Sequence, residues 1–183
     1  IRRDMRLEDN RALQSAAATG SVVPLFVVDP TFASASEARR AYMFATLHSL
    51  NEATGGVVVI RHGKPDEVLP AFAASVGASS IHMAADFSPY GRKRDEKVRI
   101  ALEQSQIELV SADTPYAVRP GTVVKDDGTP LKVFTPFYKR WLGFLPEQSA
   151  DAKVRFEDKR ELSEGFPDID SDVDTRWPIG EDA

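Results

Sequence analysis

The sequence has no cysteine. That rules out disulfides, thiolate nucleophiles and cysteine-ligated metal, and it fits a reducing, cytoplasmic setting. It has no run of about 18 apolar residues, so no membrane span is expected. It also lacks an excess of positive charge. The formal net charge is -5 over 183 residues, whereas duplex-binding proteins carry a basic face to neutralise phosphates. The cluster Arg92, Lys93, Arg94 is followed at once by Asp95 and Glu96. It reads as a solvated helix start, and this chain alone is not expected to bind DNA tightly.

Catalytic signatures are missing as well. No glycine-rich dinucleotide fingerprint follows a strand. His62-Gly63-Lys64-Pro65 has Gly-Lys without the upstream glycine or the following Ser/Thr of a P-loop, and no nucleophile elbow is present. His48, His62 and His82 fall on different elements and do not suggest a metal site. No catalytic residue is expected. The chain opens at Ile1 without a methionine, and a processed or trimmed start is expected.

What is present is an alternation of buried strands and amphipathic helices. Asp9 or Asn10 can cap a short helix through Ala17, which Gly20 ends. Residues 22–28 form a nearly continuous apolar run, the pattern of a parallel strand covered on both faces, and Asp29-Pro30 stops it. Ser36 precedes a helix with Met43, Leu47 and Leu50 at i, i+4 and i+7, closed by Gly55-Gly56. A second strand is expected at 57–60. A third helix follows Pro65, although Pro70 inside it suggests a start nearer Glu67. A third strand at 81–85 leads through a polar loop, 86–94, to a helix ending near Ser105, and a fourth strand at 107–110.

This alternation predicts right-handed crossovers and an α/β fold, a Rossmann-like doubly wound and mainly parallel sheet with helices on both faces. The segment 1–7 is too polar for a core strand, so a first strand is expected to precede Ile1, making a five-stranded sheet. A β-hairpin is expected over 122–134 around Asp126-Asp127-Gly128, then a short aromatic helix over 136–145. Residues 146–183 read as an acidic linker. The alternation of Asp168, Asp170, Asp172 and Asp174 lacks the central glycine and closing glutamate of a calcium-binding EF-hand loop.

In such folds ligands sit at the carboxyl ends of the strands. Those ends are Arg2 and Arg3, Val28 and Asp29, Arg61 and His62, and residues 85–88, with Arg39 opening a nearby helix. Two arginines, carboxylates and apolar walls suit a planar ring with polar or anionic edges.

Three ordered motifs then become recognisable. They are Arg2-Arg3-Asp4-Met5-Arg6-Leu7-Glu8-Asp9-Asn10 with Ala12-Leu13; Asp86-Phe87-Ser88-Pro89-Tyr90-Gly91-Arg92-Lys93-Arg94-Asp95; and the Gly128 turn with Val133-Phe134-Thr135-Pro136-Phe137 and Trp141. Asp29-Pro30, Arg39 with Tyr42, and the Leu47–Leu50 pair accompany them. Together they resemble the N-terminal domain of the DNA photolyase/cryptochrome family, with Lys64 replacing the aspartate of the family's Gly-Asp-Pro.

The resemblance implies an antenna-pigment-binding α/β domain over 1–145 and an interdomain linker over 146–183. The helical domain that holds FAD and the DNA lesion lies outside this chain. It implies pigment-binding residues Arg2, Val28, Asp29, Arg39, Met43, Asp86, Phe87, Ser88 and Tyr90. The second motif with Arg39 is similar to the subgroup that binds 8-hydroxy-5-deazaflavin, with Ser88 where that subgroup can carry a carboxylate. Methenyltetrahydrofolate is the alternative, although the second motif lacks the Asn-Glu pair that folate binders tend to show in this loop. The implied parent is a deoxyribodipyrimidine photolyase, a light-driven carbon–carbon lyase whose partners are its own FAD domain and damaged DNA. A cryptochrome-type photoreceptor and a stand-alone nucleotide-binding module are the other readings. Within the motifs, Asp4 and Arg6 are expected to pair, Asp9-Asn10 to cap a helix, and Arg94-Asp95 to fix the loop and cap the next helix.

Overall fold

The first four helices begin where the sequence supplies a polar cap or a proline. In the computed structural model, which describes residues 1–112, 114–146, 153–168 and 179–180, Asn10 caps α1 (Arg11–Ala17) by accepting the Leu13 amide at 3.0 Å. Ser36 stands at the N-cap of α2 (Glu37–Ala53), whose Ala41, Phe44, Leu47 and Leu50 are buried on one stripe. α3 (Pro65–Val76) starts at Pro65 with Asp66 and Glu67 in its first turn, where carboxylates complement the helix dipole. The later start expected from Pro70 is therefore corrected. Pro70 forgoes one amide bond, to the Asp66 carbonyl, and burial of Phe72 and Ala73 just beyond it offsets the loss.

α4 (Pro89–Gln104) also begins earlier than expected. Ser88 Oγ accepts the Gly91 amide at 2.9 Å and Pro89 occupies the first helical position, a cap-and-proline pair that starts a helix. The polar loop expected to reach Arg94 thus ends at Ser88, and Ser88 rather than Arg94-Asp95 is the cap.

The strands are β1 (Leu25–Val28), β2 (Val59–His62), β3 (Ser80–Met83) and β4 (Glu108–Ser111). β1 pairs with β2 in parallel, Leu25 opposite Val59; β3 pairs with β4 in parallel, Ser80 opposite Glu108. The expected strand over 22–28 is shortened because Pro24 has no amide to give to a ladder. Val22 instead makes an isolated parallel bridge to Phe156. Parallel α/β architecture is as read from the sequence. Of the five strands expected, four lie among the described residues, and they pair as two two-stranded parallel sheets.

Each pair has its own core. Phe26, Leu47, Leu50, Val58 and Ile60 cluster between α2 and the first pair, with Val28 and Met43 packed against them. Ala73, Val98, Leu102 and Ile107 cluster between α3, α4 and the second pair. Residues 153–168 return along the first pair. Ser163 Oγ accepts the Ile60 amide at 3.0 Å, the Glu164 amide donates to the Ile60 carbonyl at 2.9 Å, and Glu164 Oε2 accepts the His62 amide at 2.7 Å. These contacts cover the outer edge of β2. Asp170, Asp172 and Asp174 lie outside the described residues.

The hairpin expected over 122–134 reduces to one antiparallel bridge, Val124 with Pro130. The Asp127 carboxylate takes both the amide and the hydroxyl of Thr129, an Asx turn, and Pro130 cannot extend a ladder. The aromatic segment forms α5 (Phe134–Trp141), two residues earlier than expected, followed by a short 3-10 turn, Leu142–Phe144. No helix among the described residues is long and apolar enough to cross a membrane.

Candidate functional site

Four helices start at the carboxyl edge of the strands, and most of the singled-out residues gather there in two groups. The first group is an alternating ion network. Asp86 meets Arg94 at 3.4 Å, Arg94 meets Asp95 at 2.8 Å, and Asp95 meets Arg2 at 2.6 Å. Arg2 also donates to the Ala84 carbonyl at the end of β3. All four side chains are about four-fifths buried or more. This network ties the N-terminal segment to α4 and to the loop after β3. Burial alone would raise the Asp86 carboxyl, but hydrogen bonds from Ser88 and the nearby Arg3 and Arg94 charges outweigh it and hold the group below its ordinary value.

The loop is shaped around that carboxylate. Asp86 Oδ1 accepts the Ser88 amide at 2.9 Å. Gly91 is buried against it, and a Cβ there would overlap the carboxylate. Phe87 lies under the Arg119 guanidinium, 5.4 Å from carbon to ring centroid. The pairing of Asp4 with Arg6 is corrected. Buried Asp4 accepts the Arg2 amide at 2.8 Å, and Arg6 turns to Asp9 instead. Asn10 Nδ2 donates to the carbonyls of Asp4 and Arg6, both at 2.9 Å. The opening motif is thereby folded into a tight cap for α1.

The second group is more open. Tyr90, half exposed on the first turn of α4, donates its hydroxyl to Asp29 at 2.9 Å and lies 2.7 Å from the Thr31 hydroxyl. Asp29 also accepts the Thr31 amide at 2.9 Å, starting a 3-10 turn, Pro30–Ser34. Phe32 in that turn carries the exposed Arg39 guanidinium over its ring at 5.7 Å. The Arg94 guanidinium lies 5.8 Å from the Tyr90 ring centroid. Aromatic faces, a cation and a carboxylate thus share one exposed stretch of the edge.

Val28 and Met43 sit beneath, packed on the first core. The large cavity of the domain, about 450 Å³, is elsewhere: it opens between β1 and β3 and does not include Asp29, Arg39 or Tyr90 in its wall. Thr31 and Phe32 were not singled out from the sequence. Their signal was the Asp29-Pro30 turn itself, which aims the next two side chains back at the edge.

The three histidines are apart. His82 bridges the hydroxyls of Ser15 at 2.9 Å and Ser80 at 3.0 Å, His48 stacks near Phe166 at 4.6 Å, and His62 is at the end of β2. No group of three or more His, Asp or Glu among the described residues is placed to hold a metal ion.

Comparison with known proteins decides the family. The family model described as DNA photolyase matches residues 1–154. The chain belongs to the DNA photolyase family. A deoxyribodipyrimidine photo-lyase of Thermus thermophilus is 35% identical over 145 residues, covering 78% of this chain and 33% of that protein. One from Streptomyces griseus is 34% identical over 178 residues, covering 91% of this chain and 39% of that protein. The crystal structure of an archaeal photolyase from Sulfolobus tokodaii, solved with two FAD molecules, shares the fold at a TM-score of 0.73 and 23% identity, over 93% of this chain and 39% of its own. The chain thus corresponds to the N-terminal α/β domain of photolyases and spans less than half the length of these relatives. Within the photolyase frame, the ion network and the open aromatic group lie on the strand-end edge where doubly wound folds place ligands.

Proposed function

We propose that this domain holds a planar antenna pigment at the carboxyl edge of its sheet and serves a deoxyribodipyrimidine photolyase that repairs pyrimidine dimers in DNA. The observation that carries the reading is the open group of Asp29, Phe32, Arg39 and Tyr90, set on a rigid base by the Asp86–Arg94–Asp95–Arg2 network. Its donor set fits an aromatic ring with an acidic hydroxyl. When bound, such a pigment absorbs near-ultraviolet or blue light and passes the excitation to FAD in the parent's helical domain. Arg39 stabilises the ring's anion, because a neighbouring cation favours the charged form. Phe32 and Tyr90 supply faces for stacking. Asp29 accepts hydrogen bonds from the polar edge. Arg2, Asp86, Phe87 and Ser88 hold the loop, and Val28 and Met43 form the apolar floor.

We assign 8-hydroxy-5-deazaflavin as the pigment, with methenyltetrahydrofolate as the alternative. The FAD pair in the Sulfolobus tokodaii structure makes a flavin the third ligand to assay. The partner within the parent is its own C-terminal FAD domain. On α5, Phe134, Tyr138 and Trp141 stack in sequence at 5.7 and 6.2 Å, and Phe134 is 74% exposed, an aromatic stripe suited to a docking partner. DNA contact belongs to that other domain, consistent with the net charge of -5 here. The cysteine-free composition fits a cytoplasmic parent.

The test is a titration of the purified domain with each of the three pigments, read by absorbance and melting temperature. Saturable deazaflavin binding, weakened about tenfold or more by Arg39→Ala, supports the assignment. A folded domain that binds none of the three, while the full-length parent still binds FAD, overturns the antenna function.

A further inference from the structure

The ion network at the strand ends balances itself, with Arg2 and Arg94 set against Asp86 and Asp95. Two more arginines stand beside it. Arg3 adds its charge to that of Arg94 at Asp86, and its guanidinium donates to the Tyr116 hydroxyl at 3.2 Å. Arg119 lies over the Phe87 ring, 5.4 Å from carbon to centroid. Both are exposed, and among the described residues neither forms an ion pair with a carboxylate. Arg2, Arg3, Arg94 and Arg119 thus outnumber the two carboxylates among them, in a chain whose net charge is -5.

Arg3, Asp86, Phe87, Pro115 and Tyr116 line a narrow cleft of about 10 Å³ just past β3. That is room for one water-sized group, so the cleft takes an oxygen of a small anion and not a ring. Its donors are held in place. Buried Thr114 accepts the Tyr116 amide at 3.2 Å, which fixes the turn that carries Tyr116. Arg3 spends one N–H on Tyr116 and keeps others to give, and the Tyr116 hydroxyl still has its own proton to donate. A guanidinium stacked on a ring keeps its in-plane N–H groups for an anion. Tyr116 is three residues from Arg119, and Phe87 is three residues from Tyr90. Either pair of Cα atoms is at most about 11 Å apart, so the two arginines can converge on one group. A ring seated on Tyr90 needs only a polyol-length tail to bring an anion to them.

We infer that Arg3 and Arg119, with the Tyr116 hydroxyl, form an anion subsite that takes a phosphate on the pigment's tail while the ring lies on the open group of Asp29, Phe32, Arg39 and Tyr90. Hydrogen bonds from guanidinium to phosphate are charge-assisted and favour the ester over the bare alcohol. The tail assignment rests on the pigment reading above, whereas the anion subsite stands on the arginines and the cleft alone.

The test titrates the 183-residue chain with a matched pair of ligands, 8-hydroxy-5-deazariboflavin and its 5'-phosphate, at about 0.05 M and about 0.5 M salt. Inorganic phosphate at constant ionic strength is a second arm, followed by the Nε–H resonances of Arg3 and Arg119. The phosphate ester is expected to bind about tenfold tighter at low salt, with the advantage shrinking at high salt. Arg119→Ala should remove most of that advantage and leave the melting temperature unchanged. Arg92→Ala, which deletes an exposed arginine outside the cleft, should keep it. Inorganic phosphate should shift both arginine resonances saturably. Equal affinity for the two ligands, or an equal loss in Arg92→Ala and Arg119→Ala, overturns the inference and leaves the pigment reading standing. If neither ligand binds, the pigment reading falls and the phosphate arm decides the subsite: saturable shifts keep it, and their absence overturns it.

Discussion

The two ends of the sheet are built from the same alternation of strands and helices, yet they differ in kind. The carboxyl end is where helices begin, and it gathers Asn10, Asp29, Ser88 and the Arg2–Asp95–Arg94–Asp86 network. The amino end is where helices stop. It is made of left-handed residues, Gly55 and Gly56 after α2, Gly77 after α3 and Gln106 after α4. Helix starts leave amides unpaired and so recruit polar side chains, whereas helix stops need only a permissive backbone. Polar and charged side chains therefore concentrate at one end, while the other is set by backbone conformation.

Substitutions at each end separate the two roles. Gly91→Ala should have the largest effect, because the new methyl overlaps the Asp86 carboxylate. A loss of about 3 kcal/mol in urea unfolding is expected, with pigment affinity lost through the displaced loop. Arg94→Ala leaves Asp86 and Asp95 facing each other without their shared cation. About 1–2 kcal/mol is expected, discounted because the groups are partly solvated, again with weakened pigment binding. Gly77→Ala at the amino end strains a residue at φ +66 with nothing near its Cβ, so about 1 kcal/mol of stability should be lost with pigment affinity unchanged. A fall in affinity there would break the division between the ends.

The smallest effect concerns pH. Burial lowers the His82 pKa from 6.5 in the folded protein, against a weaker opposing pull from Glu108. The unfolded chain then takes up the proton more readily, so stability falls as the pH drops through the ordinary histidine value toward the folded one. His82→Gln should lose less of its urea midpoint between about pH 7.5 and 5.5 than the unaltered chain. An equal loss in both would remove His82 from the account.

Elements whose signals are local were legible in the sequence. Asn10 before Arg11 marks a helix start that the structure keeps, and Pro65 before two carboxylates outweighs the later start that Pro70 suggested. Burial periodicity placed Leu47 and Leu50 correctly on the core face of α2. Pairing was less legible, because an apolar run such as 57–60 says that a segment is buried and not which neighbour it meets; the ladder actually spans Val59–His62. The α4 start was missed because Tyr90 to Arg94 look like loop by polarity, while the Ser88-Pro89 cap decides otherwise. At the candidate site, Asp29 was readable as a strand-end residue and Arg39 as a helix start near that edge, while Tyr90 came from the family motif. Thr31 and Phe32 come into contact only through the fold of the 3-10 turn. Segment 153–168 carries no periodic signal, since it contributes single side chains to another strand's backbone.

That last contribution has a consequence for how copies of the protein meet one another. Ser163 and Glu164 occupy the backbone groups that β2 would otherwise offer to any passing strand. A chain cut before residue 153 would present that edge bare, and open strand edges template pairing between molecules. The segment is in this sense a guard against self-association, and shortening it is expected to favour β-linked association between copies.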